Sequence, residues 1–152
     1  MKSGTYLAID RRWMPGDKLH AKFDMTPQVL EANPHVVDDL GRVAIQRGPL
    51  VYCLEEIDQA AGTVLTDLAV DLNQSSSAQF REEFESDLLG GTVVLRSPGI
   101  VYERDRTRDA LYSRYSAEPM KTRRVPLTFI PYYAWSNRQS TSMEVWTPFV
   151  KT

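Results

Sequence analysis

The chain has 152 residues, enough for one ordinary domain, or one domain plus a fragment of another, with a real core, and its 42% hydrophobic and 25% charged residues are those of a soluble globular protein. A net charge of -2 leaves no cationic surplus for phosphate backbones, so nucleic acid is not an expected partner. No apolar run reaches membrane-spanning length, and Met1-Lys2-Ser3-Gly4 leads into an alternating stretch rather than a secretory segment; neither a membrane partner nor export is expected, and a cytoplasmic location follows unless the true N-terminus lies upstream.

From Thr5, the residues Leu7, Ile9, Arg11 and Trp13 alternate with Tyr6, Ala8, Asp10 and Arg12, the period of a strand. Met14-Pro15-Gly16-Asp17 puts proline and then glycine at the central positions of a type II turn. Beyond it Leu19, Ala21, Phe23 and Met25 alternate with Lys18, His20, Lys22 and Asp24. The pattern predicts an antiparallel hairpin with one apolar side, which needs a cover because an isolated hairpin is marginal in water. Pro27 to Asn33 reads as a short strand, ended by Asn33-Pro34.

Val36-Val37 and an Asp38-Asp39-Leu40-Gly41 turn open the main domain. Val43 and Ile45 then alternate with Ala44 and Gln46, a strand with one wet face, whereas Leu50 to Leu54 is an unbroken apolar run that suits a strand covered on both sides. Gly48-Pro49 between them predicts a bulge or a switch between sheets, since glycine permits unusual angles and proline removes a ladder donor. Asp58 to Gly62 is loop-like, Val64 to Leu72 is a strand with an aliphatic inner face, and Asn73 to Ser77 is a polar loop. Phe80 to Glu85 fits a strand or the start of a short helix. Thr92 to Arg96 and Ile100 to Tyr102 are two further strands, separated by Ser97-Pro98-Gly99. Glu103 to Arg124 interleaves both signs of charge and reads as a solvated hairpin excursion or flexible loop. Val125 to Trp135 and Met143 to Phe149 are the last two strands, with Pro126 and Pro131 placing the first at an edge or a bend.

Many short strands, frequent Gly and Pro turns and hardly a helical stretch predict an all-β fold: an antiparallel β-sandwich, jelly-roll-like, with a small closed barrel as the alternative. Residues 35–152 form that domain, and residues 1–34 hold the hairpin.

Arg42-Val43-Ala44-Ile45-Gln46-Arg47-Gly48-Pro49-Leu50-Val51-Tyr52-Cys53-Leu54-Glu55 closely resembles a segment in the C-terminal part of glycoside hydrolase family 127, the beta-L-arabinofuranosidase-like proteins. Pro126-Leu127-Thr128-Phe129-Ile130-Pro131-Tyr132-Tyr133-Ala134-Trp135-Ser136-Asn137-Arg138, followed by Met143-Glu144-Val145-Trp146, resembles the same family's last two strands. With the Trp13 to Met25 hairpin, the resemblance covers most of the chain. It implies that the hairpin is left over from an adjoining sandwich that follows a helical catalytic (α/α)6 barrel, and that this barrel is the natural partner. It also implies a cysteine nucleophile beside a zinc ion held by glutamate and several cysteines. Cys53 is alone, so that centre cannot be built here; no cofactor and no metal site are expected in this chain, and zinc belongs to the catalytic part.

Aliphatic neighbours make Cys53 a buried, inert thiol. A glycosidase needs two carboxyl groups roughly 5 to 10 Å apart across the sugar. Glu55-Glu56 and Glu82-Glu83-Glu85 supply acids, but neighbours in a strand point to opposite faces, so these read as surface acids and no catalytic residue is assigned. His20 and His35 lack a carboxylate at ligand spacing. Trp13, Tyr132, Tyr133, Trp135 and Trp146 are the candidate carbohydrate-binding residues, set against their commoner role as core or interface, with Tyr133 and Trp135 on one strand face and Tyr132 on the other. Asn73-Gln74-Ser75 fits a glycosylation triplet that chance also supplies. The leading expectation is a non-catalytic accessory domain supporting a glycoside hydrolase barrel; a carbohydrate-binding module and a self-association module forming a homodimer are the alternatives.

Overall fold

The computed structural model describes residues 4–72, 79–106 and 109–151; the Asn73-Gln74-Ser75 triplet lies outside them. Nine strands run in chain order: β1 (Pro27–Glu31), β2 (Arg42–Arg47), β3 (Leu50–Glu55), β4 (Leu68–Asp71), β5 (Arg81–Glu85), β6 (Thr92–Tyr102), β7 (Thr122–Pro131), β8 (Met143–Glu144) and β9 (Thr147–Val150). Their ladder returns on itself, because the path β2–β9–β4–β6–β7–β3 ends with β3 pairing β2 again. The all-β expectation holds in a barrel-like form, with β1, β5 and β8 attached outside the ring. One pair, β4 with β9, is parallel, so the sheet is mixed rather than wholly antiparallel.

Inside the ring, alternate residues of each strand meet. Ile45, Tyr52, Leu54, Leu95, Leu127 and Phe129 are essentially closed to solvent and pack as one cluster, with Phe80 set edge-on against Phe129 at 6.0 Å. Burying such side chains contributes about 1.5–3 kcal/mol each. A second, smaller cluster forms on the outer face of β3 and β7, where Cys53, Leu88, Val94, Ile130 and Ala134 lie under the β5–β6 connection and the β8 segment. The run Leu50 to Leu54 is therefore covered on both sides at its C-terminal half, while Val51 stays exposed.

Local departures from the sequence pattern have local causes. Gly48-Pro49 forms neither a bulge nor a switch: Arg47 pairs with Leu50 across a two-residue hairpin turn, with Gly48 at φ +57 in its first central position. Val64 to Leu72 is not one strand, since Leu65–Asp67 closes a 3-10 turn before β4 begins. Of Phe80 to Glu85, Arg81–Glu85 is strand β5, with Phe84 exposed, while Phe80 precedes the strand and is buried in the core. The two strands expected around Ser97-Pro98-Gly99 are one, β6. It survives its proline because Pro98 faces Pro126 on β7, and because β5 covers Thr92 to Arg96 while β4 begins only opposite Gly99, leaving Pro98 no partner on that edge. At Gly99 a side chain has no room: a Cβ would stand 2.4 Å from Leu127 Cδ1 and 2.9 Å from the Ala69 carbonyl oxygen. Met143 to Phe149 breaks into β8 and β9, which pair with different strands.

The excursion after β6 lacks strand pairing over 103–106 and 109–121, and β7 begins earlier than expected, at Thr122. Its neck is closed by the Glu103 N–H donating to the Lys121 carbonyl at 2.9 Å, and Arg104 and Arg106 both reach the buried Asp67 at 2.8 and 2.7 Å.

Residues 5–26 keep the turn of the expected hairpin but not its ladder. The Asp17 N–H donates to the Met14 carbonyl at 3.0 Å, Gly16 sits at φ +92, and Arg11 holds the Asp17 carboxylate at 3.0 Å, yet no strand is formed on either side. A two-stranded ribbon without a third strand or a cover has too little to hold it. The arm meets the ring at its end, where Met25 lies over Gly48 and a cleft of about 700 Å³ opens between Lys22–Pro27 and Arg47 and Glu82. β1 follows at once and pairs with β2 along its whole length.

Candidate functional site

β7 ends at Pro131, and the next residues turn rather than extend. Tyr132–Ala134 is a single 3-10 turn, closed by the Trp135 N–H donating to the Tyr132 carbonyl at 3.2 Å. Residues three apart eclipse in that geometry, so Tyr132 and Trp135 stack at 6.2 Å between centroids and 27° between planes. This corrects the strand reading, in which Trp135 shares a face with Tyr133. Tyr132 is 47% and Trp135 37% exposed, making a two-ring platform open to solvent. Tyr133 points elsewhere, its hydroxyl 2.8 Å from Thr92 Oγ1, and Ala134 is buried beneath the turn.

The platform rests on a buried carboxylate. Glu55, expected at the surface, is fully enclosed at the end of β3: the Ser136 N–H and the Thr141 hydroxyl donate to Oε1 at 3.0 Å each, and Arg138 donates to Oε2 at 2.5 Å. Arg138 also forks onto both oxygens of Asp58 at 2.6 Å. The Asp58 hydrogen bond and then that of Glu55 hold its guanidinium charged far above the ordinary range. Ser136 takes φ +60 to aim its N–H, Asn137 Nδ2 donates to the carbonyls of Tyr133 and Trp135, and Trp135 Nε1 donates to the Thr141 carbonyl at 3.2 Å. Gln59 adds a side-chain rung to the ladder: its Nε2 donates to the Glu55 and Thr128 carbonyls, and its Oε1 accepts from the Thr128 N–H. With three donors, one of them the Arg138 guanidinium, the Glu55 carboxylate is committed to holding the 135–142 turn and is closed to solvent.

The other candidates do not join this platform. Trp146 is half-buried between β8 and β9, where Arg42 donates to its carbonyl at 2.8 Å and also to Glu144, whose carboxyl burial raises and Arg42 partly restores. Trp13 lies on the arm with the Arg11 guanidinium 4.9 Å over its ring. Among the described residues no ring contact links either tryptophan to the Tyr132–Trp135 pair. His20 and His35 are both exposed, His35 Nδ1 lying 2.7 Å from Asn33 Oδ1, and no group of three metal-ligating side chains occurs among the described residues.

Cys53 is closed to solvent, and burial, then the charges of Glu55 and Asp58, push its thiol up to about 12. Such a thiol stays protonated at neutral pH, and its packed neighbours Leu88, Val94, Ile130 and Ala134 bring no metal-ligating side chain beside it. Glu55, Arg138 and Asp58 were missed by sequence reasoning. The signal lay in the apolar run: a strand covered on both sides buries the residue that follows Leu54 as well.

The Glycoside hydrolase family 127 C-terminal domain matches residues 27–148. The chain belongs to that family. It is 34% identical over 143 residues to the Non-reducing end beta-L-arabinofuranosidase of Bifidobacterium longum subsp. longum, a match covering 93% of this chain and 20% of the relative. A crystal structure of a family 127 beta-L-arabinofuranosidase from Geobacillus stearothermophilus T6 superposes with a TM-score of 0.65 at 37% identity, over 83% of this chain and 18% of that one. A family 127 beta-arabinofuranosidase structure gives 0.66 at 37% identity, over 84% and 18%. The chain thus spans about a fifth of the length of the relatives it matches.

Proposed function

We propose that this domain is non-catalytic and supports the helical (α/α)6 barrel of a beta-L-arabinofuranosidase-like glycoside hydrolase, closing a neighbouring sandwich with its N-terminal arm. The observation that carries the reading is the arm itself. Tyr6, Leu7, Trp13, Leu19 and Phe23 are all exposed on a segment that makes no strand, and a row of that size calls for a cover. The Bifidobacterium match covers 93% of the chain, so it reaches into at least part of the arm. Cys53, sealed and protonated, and Glu55, occupied by its donors, support a role outside the chemistry.

The test is reconstitution. The Bifidobacterium relative, expressed without the segment that matches this chain, should bind the purified domain and melt at a higher temperature with it, and Phe23→Ser should weaken the association. Absence of any association, together with release of arabinose from a beta-L-arabinofuranoside by the domain alone, would count decisively against it.

The stacked, half-exposed Tyr132–Trp135 pair favours a second reading, a weak contact with a sugar ring near the barrel. Calorimetry with arabino-oligosaccharides should then show heat that Trp135→Ala abolishes. A third outcome, a homodimer through the arm, is read from light scattering on concentration.

A further inference from the structure

The outer face of β5, β6 and β7 carries more cationic than anionic side chains around one cleft. Arg81 and Arg96 stand directly opposite one another across β5 and β6, an arrangement of like charges that weakens a sheet. Glu83 lends one carboxylate to both, 2.9 Å from Arg96 Nε and 3.6 Å from Arg81. Arg124, opposite Ile100 on β7, is exposed and adds a third guanidinium to the same cleft. Arg96 is further held in place by Thr128, so its fork is oriented rather than free to swing away. Between the arginines, Pro98 and Pro126 face each other, exposed, and floor a cleft of about 430 Å³. Three guanidinium groups against one carboxylate, around a floor of two exposed prolines, leave the cleft short of negative charge.

We propose that this cleft binds a sugar bearing a carboxylate, a uronic acid residue. Its carboxylate is taken by the exposed Arg124 fork, its C–H ring face rests on the proline pair, and the positive charges of Arg81 and Arg96 lie at the far end of the cleft. The volume suits one sugar ring or a little more. The choice of an anion stands on the geometry alone; the choice of a sugar rests on the glycan-related reading above. The cleft is not the aromatic platform, since Arg124 and Tyr132 are separated by most of β7, roughly 25 Å at strand rise.

The experiment titrates the 15N-labelled full chain with galacturonic acid, galactose, acetate and a glutamate-rich peptide, following amide shifts. Galacturonic acid should give saturable shifts at Arg81, Arg96, Gly99 and Val125 with a millimolar Kd, fading in about 0.5 M salt, with galactose inert and acetate about tenfold weaker. Arg124→Gln, an exposed change that should leave the melting temperature alone, should weaken binding about tenfold, and Arg81→Gln somewhat less. The anion site is overturned if no saturable shift develops by about 50 mM, or if Arg124→Gln binds like the parent chain. The sugar assignment is overturned if galactose or acetate matches galacturonic acid, or if the peptide binds these residues more tightly than the sugar does. None of these outcomes depends on association with a barrel.

Discussion

The ring and the arm carry the same kind of pattern and meet opposite fates. Val43 and Ile45 alternate along β2 much as Leu19, Ala21, Phe23 and Met25 alternate along the arm, yet the first pair is sealed while Leu19 and Phe23 stand in solvent. Alternation decides which side chains share a face, but burial needs a second surface to meet that face. β2 finds three strand partners within the chain, β1, β3 and β9; the described residues of the arm form a turn and meet the ring where Met25 lies over Gly48, without a strand ladder.

The contrast can be broken most sharply at the core. Phe129→Ala should cost about 3–5 kcal/mol in urea denaturation, because it opens a cavity where Phe80 and Leu127 cannot both collapse. Phe23→Ala on the arm should move the midpoint by less than about 0.5 kcal/mol. Equal effects would mean that the arm is packed in solution. Glu55→Ala comes next: leaving Arg138 beside an apolar hole and the 135–142 turn unpinned should cost about 3 kcal/mol, against almost nothing for the exposed Glu56→Ala. Its loss should also disturb the Tyr132–Trp135 stack, visible in near-ultraviolet circular dichroism. Gly99→Ala should cost about 1–3 kcal/mol, since its methyl meets the Ala69 carbonyl and Leu127.

The smallest effect concerns pH. The Cys53 thiol, ordinarily at 9.0, is raised to about 12 in the folded chain, chiefly by burial. Its raised value means that the unfolded chain ionises first, so the thiol's contribution is complete below pH 9 and is lost as pH climbs toward 12. Stability should therefore decline over that window, and Cys53→Ala should flatten the decline in part, because Tyr52, also raised by burial, contributes its own share. A native Cys53 that reacts with a thiol reagent at pH 8 as fast as the unfolded chain would contradict its burial.

Much of the fold was legible in residue order. The apolar run to Leu54, the β-branched stretch before Arg96 and the last strands were readable because strand period and turn residues act over a few neighbours. The stack of Tyr132 on Trp135 was not, because a 3-10 turn and a strand differ there by a backbone choice imposed by Glu55 from a strand some eighty residues earlier. Glu55 itself looked like a surface acid because its donors, Ser136, Arg138 and Thr141, are distant in sequence and gathered only when β3 and β7 pair.

Residue chemistry in linear order was enough for strand after strand, a protected thiol and membership of a family. Closure of the ladder, the parallel β4–β9 contact, the enclosure of Glu55 and the gathering of Arg81, Arg96 and Arg124 around two prolines came from pairing between distant segments. Such pairings are set by which edges and faces remain open once neighbours have folded, and that is a property of the assembled sheet rather than of any one strand.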